Sequence, residues 1–515
     1  MFRAGRNLTR VAHIALTLAR HDALIGFERL QPPAIVLRVL ARLKWSNLPS
    51  RPGERLAAAF TALGPSFIKL GQALSTRADL VGEEIAADLS DLQDRLAPFP
   101  AAAARDTVAT ELGRPVGDLF VSFDDQSVAA ASIAQVHFAV VRRDDATLAE
   151  VAVKVLRPGI EAEFERDIDL FQWLAELAER YVPRLRRLRP IEVVGTFAQM
   201  VRLEMDLRLE AAAASELAQN FKDDADFHVP AVDWTRTARR VLTLARIAGI
   251  SIDERERLIA AGYDPEAIVG KTARTFFNQV FRDGFFHADM HPGNLFVAPD
   301  GALVAVDFGI MGRLDRTTRY YLADMLLGFL NGDYKTVADV HFRAGFVPAS
   351  QSQGAFMQAV RAIAEPIMGR PLNEISLARL LAQLFQVTET FQMETQPQLL
   401  LLQKSMLVCE GVGRRLDPKV NMWALARPLI EDWMRENRGI EARTRAAAED
   451  AVARLEELPA FLANVEKTAA MLAAGGVKLH PDSLARLSAR AGNGGAVWPW
   501  VLAAFALGLI VAAVL

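Results

Sequence analysis

Apolar positions recur with helical spacing over most of this chain, and its polar chemistry gathers where that period gives way to β-type runs. At the N-terminus, Arg3, Arg6 and Arg10 precede an apolar stretch that ends at Arg20-His21-Asp22. That pattern predicts an amphipathic basic helix lying on another helix or on a membrane surface, and lacks the cleavage site of a secretion signal. Helical spacing holds from 55 to about 111, interrupted by Gly64-Pro65-Ser66, where Ser66 offers a cap. The helix beyond it carries Lys69 and Gln72 on one face. A change comes near 119: Phe120-Val121-Ser122-Phe123 reads as a strand before a turn at Asp124-Asp125-Gln126. Phe138 to Val141 and Val151-Ala152-Val153-Lys154-Val155 are two further strands around a charged turn.

Helices are expected over 160–181 and 191–218, with a basic break at 183–190. Two more strands follow at 229–232 and 240–244, and Ala245-Arg246-Ile247 would then be a hinge whose backbone holds adenine. Phe296-Val297 and 303–306 flank Pro299-Asp300-Gly301, a hairpin pattern. From 313 to about 474 the spacing is helical again. The last stretch differs: after Gly492-Asn493-Gly494-Gly495 comes an uncharged run, 497–515, about 28 Å long as a helix. That length spans a bilayer. Trp498 and Trp500 sit at its start, and Arg486 and Arg490 lie before it, which places the preceding chain on the cytoplasmic side.

These elements give an α+β, mostly helical protein with five parts: a helical extension over 1–118, a small lobe over 119–250, a helical large lobe over 251–450, a helical region and linker over 451–495, and a transmembrane anchor over 496–515. A length of 515 residues suits several folding units. The formal charge of −3 gives no general attraction to nucleic acid, and no basic stripe interleaved with aromatics compensates. A single cysteine, Cys409, rules out an internal disulfide framework and fits a reducing compartment. It sits in an apolar helical pattern as core filling.

The chemistry concentrates between His287 and Gly309. Asp289 and Asn294 are five apart, and thirteen residues later Asp307 heads Asp307-Phe308-Gly309. An acid, an amide and a second acid at this spacing suit phosphoryl transfer: Asp289 beside the attacking oxygen, with Asn294 and Asp307 as hard oxygen ligands for Mg2+. Lys154, a lysine inside an apolar strand, needs a partner; in a kinase such a lysine contacts the nucleotide phosphates and a helix glutamate. Glu210 lies in the right zone to be that partner, while Glu204 and Asp206 would add acidity near the metals. Neither a phosphorylatable segment nor an Ala-Pro-Glu motif follows Gly309, so the peptide-docking platform of ordinary protein kinases is not expected.

Together these residues resemble the UbiB family of atypical kinase-like proteins, also called the ADCK family, linked to ubiquinone biosynthesis. The resemblance runs from about 66 to 312. Lys69-Leu70-Gly71-Gln72 resembles the family's Lys-x-Gly-Gln motif, carried on an N-terminal extension that folds over the active site. Ala129-Ala130-Ala131-Ser132, within the nucleotide-facing run Val128-Ala129-Ala130-Ala131-Ser132-Ile133-Ala134-Gln135-Val136, resembles its alanine-rich replacement of a glycine loop. Glu204-Met205-Asp206 is similar to the family's regulatory Glu-x-Asp motif, Glu210 to its lysine-pairing glutamate, the loop at Asp289 and Asn294 to its catalytic loop, and Asp307 to its metal-binding aspartate.

The resemblance implies an atypical two-lobed kinase fold and an ATPase or kinase activity using ATP and Mg2+ in support of ubiquinone production. It further implies the bacterial inner membrane as location, with membrane lipids, polyprenyl quinone precursors and ubiquinone-biosynthesis enzymes as partners; a homodimer is left open. The best-known bacterial members carry two spans, whereas this sequence contains one convincing span. Alanines in place of glycines add methyl groups and restrict φ, so nucleotide geometry should be altered. Two other functions compete. One is a small-molecule phosphotransferase of the aminoglycoside-kinase type, against which the Lys69 motif and the terminal span argue. The other is a nucleotide-binding scaffold without turnover, which need not keep Lys154, Asp289, Asn294 and Asp307 together.

Overall fold

A computed structural model describes residues 2–24, 45, 48–75, 81–90, 92, 96–181, 189–368, 370, 383, 386–388, 390–393 and 396–438. The chain divides into two compact units, Met1–Met434 and Arg435–Leu515. The expected anchor at 496–515 and the linker at 451–495 lie outside the described residues. Among the described residues no helix is long and apolar enough to cross a membrane.

Among the described residues four helices open the chain: α1 (Phe2–Arg20), α2 (Pro52–Leu63), α3 (Pro65–Ser75) and α4 (Glu83–Ser90). The expected basic helix forms, and it rests on protein. Arg10 on α1 reaches Asp167 at 2.8 Å, and its guanidinium lies 5.7 Å from the centre of the Phe67 ring. Two short helices follow, α5 (Ala101–Leu112) and α6 (Val116–Leu119). Their Ala104, Val108, Val116 and Leu119 share a core with Phe123, Val141, Val151, Val153 and Val155, so they line the back of the small-lobe sheet.

That sheet is antiparallel in the order β1-β2-β3-β5, with β1 (Ser122–Ala130), β2 (Ala134–Arg142), β3 (Leu148–Leu156) and, later in the chain, β5 (Val241–Ala245). Two expectations change here. Asp124-Asp125-Gln126 is no turn but part of β1, at a register irregularity between Phe123 and Ser127. An edge strand tolerates such a bulge. Arg105 holds it by donating to Asp125 and to the Phe123 carbonyl, both at 2.7 Å, and the His137 ring nitrogen meets the Asp124 carbonyl at 2.7 Å. The alanine-rich run is likewise mostly strand: Ala129 pairs with Val136 and Ala130 with Gln135, leaving only Ala131, Ser132 and Ile133 to turn the chain.

The helix expected over 160–181 forms as α7 (Ile160–Tyr181). The one expected over 191–218 is two, α8 (Pro190–Glu204) and α9 (Leu207–Asn220), because Asp206 adopts an extended conformation and caps the second by accepting from the Arg208 N–H. The front of the sheet, through Ile133, Leu156 and Leu242, packs with α2, α3, α7, α8 and α9 in one core containing Phe60, Phe67, Leu89, Phe164, Phe197 and Leu207.

A second sheet, ordered β4-β9-β8-β6, supports the segments carrying Asn294 and Asp307; its strands are β4 (Phe227–His228), β6 (Ile250–Ser251), β8 (Leu295–Val297) and β9 (Leu303–Ala305). The expected hairpin is its centre, β8 against β9. The strand expected at 229–232 reduces to a single bridge between Val232 and Leu244, where Pro230 removes a donor. A third pairing joins β7 (Phe285–His287) to β10 (Met311–Arg313). Gly312 is required there, since an added Cβ would sit 2.1 Å from the Phe286 ring. Among the described residues the large lobe also contains helices α10 (Arg255–Ala260), α11 (Pro265–Phe277), α12 (Arg316–Leu330), α13 (Tyr334–Arg343), α14 (Gln353–Ala364), α15 (Pro397–Leu416) and α16 (Met422–Arg438).

Candidate active site

Strand alternation brings Lys154 into the cleft between the lobes. On β3, Val151, Val153 and Val155 are buried toward α5 and α6, so Lys154 projects from the opposite face. Its ammonium meets the two Glu210 carboxylate oxygens at 2.8 and 2.9 Å and Asp307 Oδ1 at 3.0 Å. The pairing of Lys154 with Glu210 expected from sequence order is therefore formed. Glu210 arrives through a cap: Asp206 fixes the start of α9, and Glu210 falls in its first turn, buried. Asp307 follows β9 with φ of 62°, a left-handed conformation that Asp tolerates better than most residues. Behind it Phe308 is fully buried, its ring 5.7 Å from that of His287. Half of the Asp307 side chain remains accessible.

The charges in this triad hold one another. Burial works against the Lys154 ammonium, but the carboxylates of Asp307 and Glu210 outweigh it and raise its pKa above the ordinary value. Burial pushes the Glu210 carboxyl up to about 7, against the attraction of Lys154. The protein packed around Asp307 opposes its ionisation and is outweighed by Lys154, with smaller help from Lys69 and His287, so its pKa lies well below the carboxylate range.

Across the cleft the loop carrying Asp289 and Asn294 is fixed by its own backbone. His287 is buried, and burial lowers its pKa, so the ring is neutral. Its Nδ1 accepts the Asp289 N–H at 3.1 Å, which leaves Nε2–H to donate to the Val306 carbonyl at 3.2 Å. Pro292 opens a 3₁₀ turn to Asn294, and Ser251 on β6 donates to the Pro292 carbonyl at 3.1 Å. Asn294 Nδ2 donates to the Asp289 carbonyl at 3.0 Å, which leaves Oδ1 as the acceptor end of the amide. Among the described residues no three or more His, Cys, Asp or Glu cluster as a metal cage. The donor set of Asp307 and Asn294 is hard oxygen and small, which suits Mg2+ completed by phosphate oxygens.

The motif on α3 reaches this site. Lys69 is buried and pairs with Glu204 Oε2 at 2.9 Å. Gly71 lets the helix pack: a Cβ there would lie 2.6 Å from Leu92 and 2.8 Å from Phe60. Gln72, one turn on, is half-buried. The two acids of Glu204-Met205-Asp206 thus separate in role, Glu204 holding Lys69 while Asp206 caps α9 and binds the Arg208 guanidinium at 2.6 Å.

The run expected to face nucleotide is more tightly held than a free loop. Arg157, just past β3, donates to the carbonyls of Ala131 (3.2 Å), Ser132 (3.3 Å) and Ala97 (3.0 Å). Gln135, expected among the nucleotide contacts, instead exchanges hydrogen bonds with the Phe99 backbone at 2.9 and 3.2 Å. At the expected hinge, the N–H groups of Ala245 and Arg246 already donate to the carbonyls of Ala231 and Glu150 at 2.8 and 3.0 Å. Those two donors are therefore not open to adenine, and Ile247 is the first hinge residue beyond them.

Two residues were missed by sequence. Arg157 gave no signal beyond a cation after a strand. Lys404 did: it is the only charged residue between Pro397 and Cys409 on an apolar helix, and its Nζ lies 2.9 Å from Asp289 Oδ1.

A family model described as the ABC1 atypical kinase-like domain matches residues 91–341, and one described as the UbiB helical domain matches residues 360–421. Over 461 residues the chain is 41% identical to a Marinobacter nauticus protein named "Probable protein kinase UbiB", covering 88% of this chain and 83% of that one. A Xanthomonas euvesicatoria protein of the same name is 46% identical over 391 residues, covering 75% and 70%. A Mycobacterium tuberculosis protein solved in complex with erythromycin superposes with a TM-score of 0.52 at 23% identity, over 77% of this chain and 97% of that one, a likeness of fold. With a kinase-like core followed by that helical domain, and relatives aligned over most of their length, the chain belongs to the UbiB family of atypical kinase-like proteins.

Proposed function

We propose that the protein is a membrane-anchored, Mg-ATP-dependent phosphoryl-transfer enzyme that supports ubiquinone biosynthesis. The observation that carries this is the ammonium of Lys154 joining Glu210 of one lobe to Asp307 of the other, opposite a loop that fixes Asp289 and Asn294. In this reading Lys154, aimed by Glu210, pairs with nucleotide phosphates, and Asp289 accepts a proton from the attacking hydroxyl or water. Asp307 and Asn294 would hold Mg2+, which when bound neutralises charge on the phosphate oxygens. The ubiquinone link rests on family membership, and quinone precursors are the lipids which that link suggests for testing.

Measuring Mg-ATP hydrolysis with and without polyprenyl-phenol lipids in vesicles tests the reading. Turnover that rises severalfold with the lipid is expected. Absence of Mg-ATP binding under all these conditions would overturn it. The membrane part has its own test: deleting 497–515 is expected to move the protein to the soluble fraction, because that run has the length of a span. A truncated protein still on the membrane after a high-salt wash would show the run is not the anchor.

A further inference from the structure

The helical domain beyond the kinase-like core sends a cation into the catalytic loop. Helix α15 is held in register by a buried stripe, Leu402, Ser405, Cys409, Val412 and Leu416, whose last three members share a core with Met290, Leu295 and Phe308. Ser405 Oγ sits 3.4 Å from the His287 carbonyl, and the preceding residue, Lys404, places its Nζ 2.9 Å from Asp289 Oδ1. The Asp289 backbone is fixed on both sides, by His287 and by Asn294. Its carboxylate is not: among the described residues Lys404 supplies its one ion pair. The two side chains keep 34% and 27% of their surface, so the pair adds little to stability.

We infer that Lys404 is a positioning residue for phosphoryl transfer, aiming the Asp289 carboxylate, and that the helical domain thereby completes the active site. This rests on the phosphoryl-transfer reading. Without Lys404 the carboxylate rotates among its side-chain conformers and is only part of the time directed at the acceptor, whereas nucleotide still meets Lys154 and Asp307 unchanged. The loss therefore falls on kcat.

The test uses the full-length protein in vesicles. Lys404→Met is expected to lower kcat for ATP hydrolysis by about tenfold to a hundredfold, with KM for ATP and Mg-ATP thermal stabilisation unchanged. Lys404→Arg, which keeps the charge, should recover most of the rate. In an Asp289→Asn background Lys404→Met should have no further effect, since the group it aims is gone. A parental kcat in Lys404→Met, a matching loss in KM, or a full additional loss on top of Asp289→Asn would overturn the role. Lys404→Gln gives the same comparison should the methionine variant fail to fold. A parent that never turns over ATP would instead remove the phosphoryl-transfer reading itself, a different result from an active parent with an equally active Lys404→Met.

Discussion

Asp307→Asn is expected to abolish Mg2+-dependent nucleotide binding and to lower turnover by about a thousandfold or more while the fold survives. Metal charge stabilisation contributes several kcal/mol to such a reaction, and each 1.4 kcal/mol or so is a factor of ten. The substitution isolates that contribution. Asparagine accepts the left-handed backbone at this position, where φ is 62°, so no strain is added. The side chain is half-accessible and lies on a turn after β9, so the core through Phe308 is left in place. What disappears is the negative charge that Lys154 keeps ionised and that a divalent cation requires. Thermal stabilisation by ATP with and without Mg2+ measures it: at a hundred times Kd the parent should gain about 2.7 kcal/mol, the variant none. Equal stabilisation of both proteins would refute the metal assignment to Asp307.

The site was legible where its chemistry is local in sequence. Asp289 and Asn294 share one loop, Asp307 follows a hairpin, and a lysine between valines on a strand has few uses besides an ion pair. Glu210 needed order in the chain rather than spacing, and it was the capped start of α9 that delivered it. That cap also explains the one misjudged helix. Apolar spacing runs through Met205-Asp206 without a gap, and only the preference of Asp for an extended N-cap breaks it. The alanine-rich run misled in another way. Its small residues suggest a loop, yet pairing with β2 continues through Ala130, because cross-strand backbone bonds do not depend on the side chain.

Contacts fixed only by tertiary packing stayed hidden. Gln135 turns to Phe99, 36 residues away, because strand alternation sends it to the face opposite Val136. Lys404 meets Asp289 across 115 residues, in a domain that shows no catalytic pattern of its own. An uncompensated charge on an apolar helix was its only trace.

Lys154→Met should eliminate turnover and also make stability depend on pH in a way the parent does not show. Removing the ammonium takes away the partner of two carboxylates, one of them buried. Glu210 already has its folded pKa raised by burial to about 7, above the ordinary carboxylate value near 4.3. A raised pKa contributes stability that is fully present below the unfolded value and is lost as pH rises through the folded one. In the parent that loss is complete just above pH 7. In Lys154→Met the attraction and hydrogen bonds that lower the Glu210 pKa are gone, so its folded value moves higher and the loss continues into the alkaline range, at up to about 1.4 kcal/mol per pH unit. Asp307, held low by Lys154 in the parent, loses the same partner and adds to the variant's deficit. The melting temperature of the variant should therefore lie closest to the parent near pH 6 and fall progressively behind it from pH 7 to 8.5. Glu210→Gln in the same background removes the titrating group and should flatten that divergence. A gap between Lys154→Met and parent that stays constant from pH 6 to 8.5 would show that Lys154 does not hold down the pKa of Glu210.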